Sequence, residues 1–294
     1  MRVILCVITA LVAGCGKRQD LVTVYASQDQ AYAEPILADF SRQTGIRVHA
    51  IYDNEAVKTV GLVNRLIAEK NNPQCDVFWN NEALRTHQLE ARRVLDRWVA
   101  FGFRSRRVVI NTNLVSSPPK SLIEVTNAFW KGKVVLAYPL FGTTATHFLA
   151  LRQHWGAAAW ERWCRALQAN HPLLVDGNSV VVQMVGRGEA AIGLTDSDDI
   201  AAGQKQGLPV QALPLDELSL LIPNTVAIIR QGPHAAEARH LFDYLQTDRV
   251  REALIAASAL EALAPRGPEL RVDWPKLLVD LDAGTATLKQ VFLR

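Results

Sequence analysis

Asp196, Asp198 and Asp199 stand within four positions of one another, directly after the apolar run 190–194. The heptapeptide Gly193-Leu194-Thr195-Asp196-Ser197-Asp198-Asp199 therefore reads as a buried strand ending in converging acids. Carboxylate oxygens gathered in this way suit a hard cation. In chains of alternating strands and helices, ligands collect where strands end. The competing reading is that these acids cap the next helix, whose first turn favours negative charge. Two other places pose the same choice. Asp29 follows the first strand and opens a helix, and Glu82, beside Asn81, follows the strand 76–79. Any one of these acids alone reads as a cap. On loops that meet in a cleft, several of them together read as ligands.

Gly142-Thr143-Thr144-Ala145-Thr146 is a second segment with chemical meaning. It lies between the strand 134–137 and a helix, so unpaired backbone N–H groups and hydroxyls stand together where an anion would be welcome. A plain threonine cap is the alternative. His147 and Tyr138 flank the segment, and His147 reads as a packing or surface residue. Tyr25 and Trp79, at strand ends, would lie near such a cleft, although Trp79 reads better as core.

The elements that must position these groups alternate. Strands are expected at 21–25, 46–52, 76–79, 107–110, 134–137, 173–175, 190–194 and 224–229. Helices are expected at 29–44, 54–70, 82–93, 142–155, 180–187, 234–247 and 248–257, with Gly45 as a C-cap and Asn54 as an N-cap. This order predicts an α/β chain with a mostly parallel sheet. Trp155, Trp160 and Trp163 read as core and surface aromatics.

Composition bounds the function. A net charge of +3 and the lack of a basic run interleaved with aromatics give no case for nucleic acid. The chain has no G-x-S-x-G elbow, no P-loop and no H-E-x-x-H helix. Cys75 and Cys164 read as two buried thiols rather than a bridge, and no cysteine spacing suggests zinc.

The N-terminus points to a compartment. Arg2 is followed by an apolar run, residues 3–13, broken only by Thr9. At 11 residues it is too short to span a bilayer and suits a secretory signal. Val12-Ala13-Gly14-Cys15 resembles the bacterial lipobox, with Cys15 as the lipidated residue. An ordinary signal cut near Gly16 is the alternative. Lipidation would leave residues 15–20 as a tether holding a soluble domain at a membrane in the periplasm.

The series Val24-Tyr25-Ala26-Ser27, Thr44-Gly45-Ile46-Arg47-Val48, Asn71-Asn72-Pro73 and Asp76-Val77-Phe78-Trp79 resembles the periplasmic ferric-ion-binding proteins. Asn178-Ser179-Val180, 188–194 and Asn224-Thr225-Val226 continue the likeness, which runs from about residue 21 to 257. The resemblance implies a type II periplasmic-binding-protein fold, with two lobes joined by a two-strand hinge. One lobe would comprise 21–110 and 226–294, the other 111–225. It also implies a monomeric binding component for an ABC permease of the inner membrane, without enzymatic activity, holding Fe(III) beside a synergistic anion.

The family's usual ligands are a histidine, a glutamate and two consecutive tyrosines. Asp29, Asn81 or Glu82, and Asp198-Asp199 occupy the matching positions, and no two tyrosines here are adjacent. The implied anion pocket falls on Thr143, Thr144, Ala145, Asn178 and Asp196. Asp196 sets a negative charge where the family has a neutral residue, which favours a cationic or hydroxyl-bearing partner. A metal–anion complex and a small phosphorylated or phosphonate solute both remain open as ligands.

Overall fold

The computed structural model describes residues 20–52, 58–264 and 267–293. The expected signal, Cys15 and the cap Asn54 lie outside these residues. The chain runs β1 (Leu21–Ala26), α1 (Gln30–Thr44), β2 (Arg47–Tyr52), α2 (Lys58–Ala68), β3 (Val77–Asn80), α3 (Ala83–Ala91) and β4 (Leu95–Asn111). After two short 3-10 turns come β5 (Val134–Ala137), α4 (Gly142–Trp155), α5 (Ala157–Ala169), β6 (Leu173–Val175), α6 (Asn178–Gly186), β7 (Ile192–Asp196) and α7 (Ser197–Lys205). It ends with β8 (Val210–Ala212), β9 (Leu221–Ile229), α8 (Ala235–Leu245), α9 (Asp248–Ala257) and α10 (Trp274–Phe292).

The strands lie in the order β2-β1-β3-β9-β4-β7-β5-β6, with β8 also on β4. Within each half the pairs β1–β2, β1–β3, β5–β6 and β5–β7 are parallel. The antiparallel pairs all involve β4 or β9. These two strands cross between the halves and form the hinge. β4 follows β9 from Leu95 to Ser105 and then β7 from Arg106 to Ile110. Only residues 107–110 of it were expected as a strand. Its earlier part passes from one core to the other, so no single apolar alternation runs through it.

Each half buries both faces of its sheet. In the first, α1, α8 and α9 cover one face through Leu37, Phe40, Leu241 and Leu254. The other face packs Leu62 and Leu66 of α2 and Leu89 of α3. In the second, Val181, Val185 and Ile200 cover one side. The other side holds α4 and α5 with Phe148, Trp160, Trp163 and Cys164. The expectation that 226–294 returns wholly to the first half needs correction. Leu277, Leu281, Leu288 and Phe292 of α10 lie in the core of the second half. Gly284 makes this possible, because a Cβ there would stand 2.2 Å from Leu149 Cδ2. Cys75 and Cys164 are both free and buried, as expected.

Candidate functional site

Strand ends from both halves meet at one cleft. Asp29 after β1 and Asn81 after β3 come from the first half, with Thr59 and Val60 of α2. Tyr138, Phe141 and the first turn of α4 come from the second, with Asp176, Gly177 and Asn178 at the start of α6 and Asp196 and Asp199 around the β7–α7 junction. Arg104, from the crossover strand β4, completes the lining. The α4 start, Gly142 to Thr144, is suited to a ligand: Phe141 provides no side-chain cap, and Gly142 takes φ +54°. Its first backbone N–H groups belong to the uncapped end of a helix.

β-strand alternation explains what lies beneath. Arg104 and Arg106 point to one face of β4, and Arg106 stands opposite Asp196 in the β4–β7 register. Arg106 Nη1 donates to Asp196 Oδ1 at 2.7 Å and to Asn178 Oδ1 at 2.9 Å. Thr143 Oγ1 and Asn178 Nδ2 donate to Asp196 Oδ2 at 2.7 and 3.1 Å. Arg104 Nη1 donates to Asp198 Oδ2 at 2.5 Å, and Nη2 lies 3.2 Å from Asp196 Oδ2. Arg104 Nη2 also reaches the Asn81 carbonyl of the first half at 3.3 Å. Ser105 and Arg107 turn to the opposite face, where both bond Glu261.

The three acids of the opening motif therefore differ in role. One carboxylate oxygen from each can be chosen so that all lie within 4.8 Å of one another. Like charges at that spacing repel by roughly 3 kcal/mol at an effective dielectric near 20. Burial opposes charge on Asp196, but the two guanidiniums outweigh it and hold its carboxyl below the usual range. Asp198 is pushed up to about 6 by burial, against the pull of Arg104 and with Asp196 and Asp29 adding to the rise. Asp199 is raised well above the usual range by burial and by Asp198, Asp196 and Asp29. It makes no hydrogen bond or ion pair among the described residues, so nothing there offsets the rise.

Several expected residues fall elsewhere. Glu82 caps α3, accepting from the backbone N–H of Leu84 at 2.7 Å and of Arg85 at 3.0 Å, and from Thr146 Oγ1 at 2.9 Å. Both its oxygens are engaged and it does not line the cleft, so the capping reading holds and the ligand reading does not. Asp198 is likewise buried behind the cleft wall, held by Arg104. Ala145 is buried below the α4 start. Asn81 does line the cleft, with its amide oxygen accepting from Ser27 Oγ at 3.2 Å. Asp29 lines it too, with no side-chain cap to α1, so its capping reading is not realised. Asp196 precedes α7 without capping it.

His147 is buried and held neutral, its pKa lowered to about 3 by burial and then by Arg106, with Nε2 2.7 Å from the Leu218 carbonyl. Tyr25 is buried against Glu69 and Arg65, and Trp79 packs on Phe101. Neither lines the cleft. Arg104, Arg106 and Asp176 were not expected. The two arginines lie in a strand segment lacking apolar alternation, some 90 residues from their partners. The only sequence signal for them is the i, i+2 pairing of like charges in an interior strand.

A family model described as bacterial extracellular solute-binding protein matches residues 22–257. The chain belongs to that family. Among its relatives in the family, the major ferric iron-binding protein of Neisseria meningitidis is 24% identical over 274 residues, covering 83% of this chain and 81% of that protein. Iron-bound HitA from Pseudomonas aeruginosa superposes with a TM-score of 0.82 at 18% identity, over 93% of this chain and 99% of that one. AfuA from Actinobacillus pleuropneumoniae, with fructose-6-phosphate bound, gives 0.80 at 16%, over 94% and 99%. These solved structures share the fold. The likeness to ferric-ion-binding proteins and the two-lobed fold with its hinge are thus both found in this solute-binding protein.

Proposed function

We propose that this protein is the extracytoplasmic binding component of an ABC importer and that it takes a ferric ion, or a related metal–anion complex, between its lobes. The observation that carries this reading is the charge of the cleft. Asp29, Asp176, Asp196 and Asp199 line it against Arg104, with Arg106 paired to Asp196 from beneath. A multiply charged cation relieves that excess, and carboxylate oxygens are the donors a hard ion prefers. Asp29 from one lobe and Asp199 from the other would hold the cation. The α4 start would hold the accompanying anion. Loss of a proton from Asp199 would accompany binding, because the ligating form is ionised.

A signal and lipid anchor at Cys15 would place the protein at the periplasmic membrane surface, where the closed lobes would meet a permease. The family consists of solute-binding proteins, and we read this chain as a binder and not an enzyme. A phosphorylated solute is the second reading, favoured by the α4 start and Asn178. Its negative charge would meet four acids.

Thermal unfolding with added ferric citrate, an aminoalkyl phosphonate and a sugar phosphate tests the choice. A ligand at about 100 times its Kd adds about 2.7 kcal/mol, which in a domain of this size raises Tm by roughly 5–10 °C. Ferric citrate is expected to give that rise. A rise with the sugar phosphate alone would contradict the metal reading.

A further inference from the structure

A second cavity, of about 400 Å³, lies in the second half and shares no lining residue with the cleft. β4, β7, α4 and the segments 118–122 and 213–219 enclose it. Val108, Leu122, Leu194 and Leu218 give it an apolar wall, and the exposed Pro118, Lys120 and Pro214 stand at its mouth. Arg106 and His147 also line it, and they are only 1% and 4% exposed. Asp216 and Ser219 bond each other there at 2.9 Å, and Arg107 is turned to Glu261.

Arg106 spends only one end of its guanidinium. Nη1 donates to Asp196 and Asn178, while Nε and Nη2 have no hydrogen-bond partner among the described residues. Those two nitrogens share one edge of the guanidinium, the fork that takes a carboxylate through two parallel bonds. The positive charge is also only partly compensated, because Asp196 is shared with Arg104. His147 supplies the complementary group. Its Nε2 lies against the Leu218 carbonyl, which can only accept, so Nε2 carries the proton. In this neutral ring Nδ1 is an acceptor, and it too has no partner among the described residues. A hydroxyl would satisfy it.

We propose that this cavity is a second ligand site, for a small hydroxy carboxylate with an apolar body. The carboxylate takes the free edge of Arg106, the hydroxyl donates to His147 Nδ1, and the body packs on the apolar wall. Pockets that hold small molecules are built in this way, mostly apolar with a few polar groups that fix orientation. The site does not depend on what the cleft holds.

The test uses the mature protein, dialysed against a chelator so that no metal holds the probe in the cleft. A crystal structure with para-bromomandelate locates the bromine by anomalous scattering. Bromine in the second cavity, with the carboxylate on the Nε–Nη2 edge of Arg106, is expected. Bromine in the cleft alone, or a cavity filled only by water, would overturn the proposal, and this measurement needs no variant. Titration calorimetry then compares mandelate with phenylacetate, which lacks the hydroxyl. Wild type, Leu215→Trp and His147→Phe are used, each checked for folding by circular dichroism. Leu215 lines the cavity, so Leu215→Trp fills it and is expected to weaken both ligands at least tenfold. His147→Phe keeps a ring and removes the acceptor. It is expected to weaken mandelate at least tenfold and to leave phenylacetate within twofold of wild type. Unchanged mandelate binding in folded Leu215→Trp would overturn the site. Equal losses of both ligands in folded His147→Phe would overturn the place given to the hydroxyl.

Discussion

Thr146, in the first turns of α4, donates its hydroxyl to Oε1 of Glu82, the cap of α3, at 2.9 Å. The pair joins the second half of the molecule to the first at the back of the cleft. It gives Glu82 a structural role as cap and tie between the halves. Thr146→Val is expected to cost about 1 kcal/mol, one buried hydrogen bond. Glu82→Ala is expected to cost about 2–3 kcal/mol, because it removes a cap and leaves buried donors unpaired. Urea unfolding measures both. Neither folded variant should lose affinity for ferric citrate, and a tenfold loss in Glu82→Ala would return that residue to the site.

Asp199 is the opposite case. Asp199→Asn removes a proposed ligand without removing any hydrogen bond among the described residues. Affinity for ferric citrate by titration calorimetry is expected to fall at least tenfold, about 1.4 kcal/mol. The Tm of the unliganded protein should hold or rise, since a carboxyl that burial and neighbouring acids disfavour in its charged form leaves the cluster. A lower Tm with unchanged affinity would mean that Asp199 serves the fold instead.

The pH response separates the acids. The Asp199 and Asp198 carboxyls bind a proton more tightly folded than unfolded. Their contribution to stability is fully present below about pH 4, the unfolded carboxyl value. It is lost as pH rises through about 6 for Asp198, and above the usual carboxyl range for Asp199. Asp196 acts in reverse, contributing above about pH 4 and losing its effect below. His147 also opposes the pair: neutral when folded, it loses stabilising effect as pH falls from about 6.5 toward 3. Comparison of wild type with Asp199→Asn cancels the shared groups. The variant's advantage in unliganded stability is expected to grow from pH 5 to pH 8. Ferric citrate affinity of the wild type should rise over the same interval, because the cation displaces a proton.

The C-terminal helix offers a test away from the cleft. Gly284→Ala would press a methyl onto Leu149 of α4 and is expected to cost about 1–3 kcal/mol. Thermal unfolding measures this. No change would mean that α10 is not seated in the second core.

What the sequence disclosed follows from how local each signal is. β1, α1 and β3 were readable because the run around Val22 and Val24, the face of Tyr32, Ile36 and Phe40, and Gly45 as a C-cap act over a few residues. The α4 start and the β7 end were readable for the same reason, and most cleft residues lie there. The division of labour among the acids was not readable. Whether Asp198 faces ligand or Arg104 depends on a strand partner about 90 residues away, and Glu82 depends on Thr146 across the hinge. β4 was seen only at its end because it serves two cores in turn. Residues 274–292 were assigned to the first half with no helix expected, although Leu277, Leu281 and Leu288 share a helical face, and their seat on α4 and α5 is a long-range contact.

Elemental analysis combined with native mass spectrometry of protein purified from rich medium tests the central claim most directly. One iron per chain, lost in Asp199→Asn, is the predicted result. A metal-free protein carrying a phosphorylated organic molecule would contradict it.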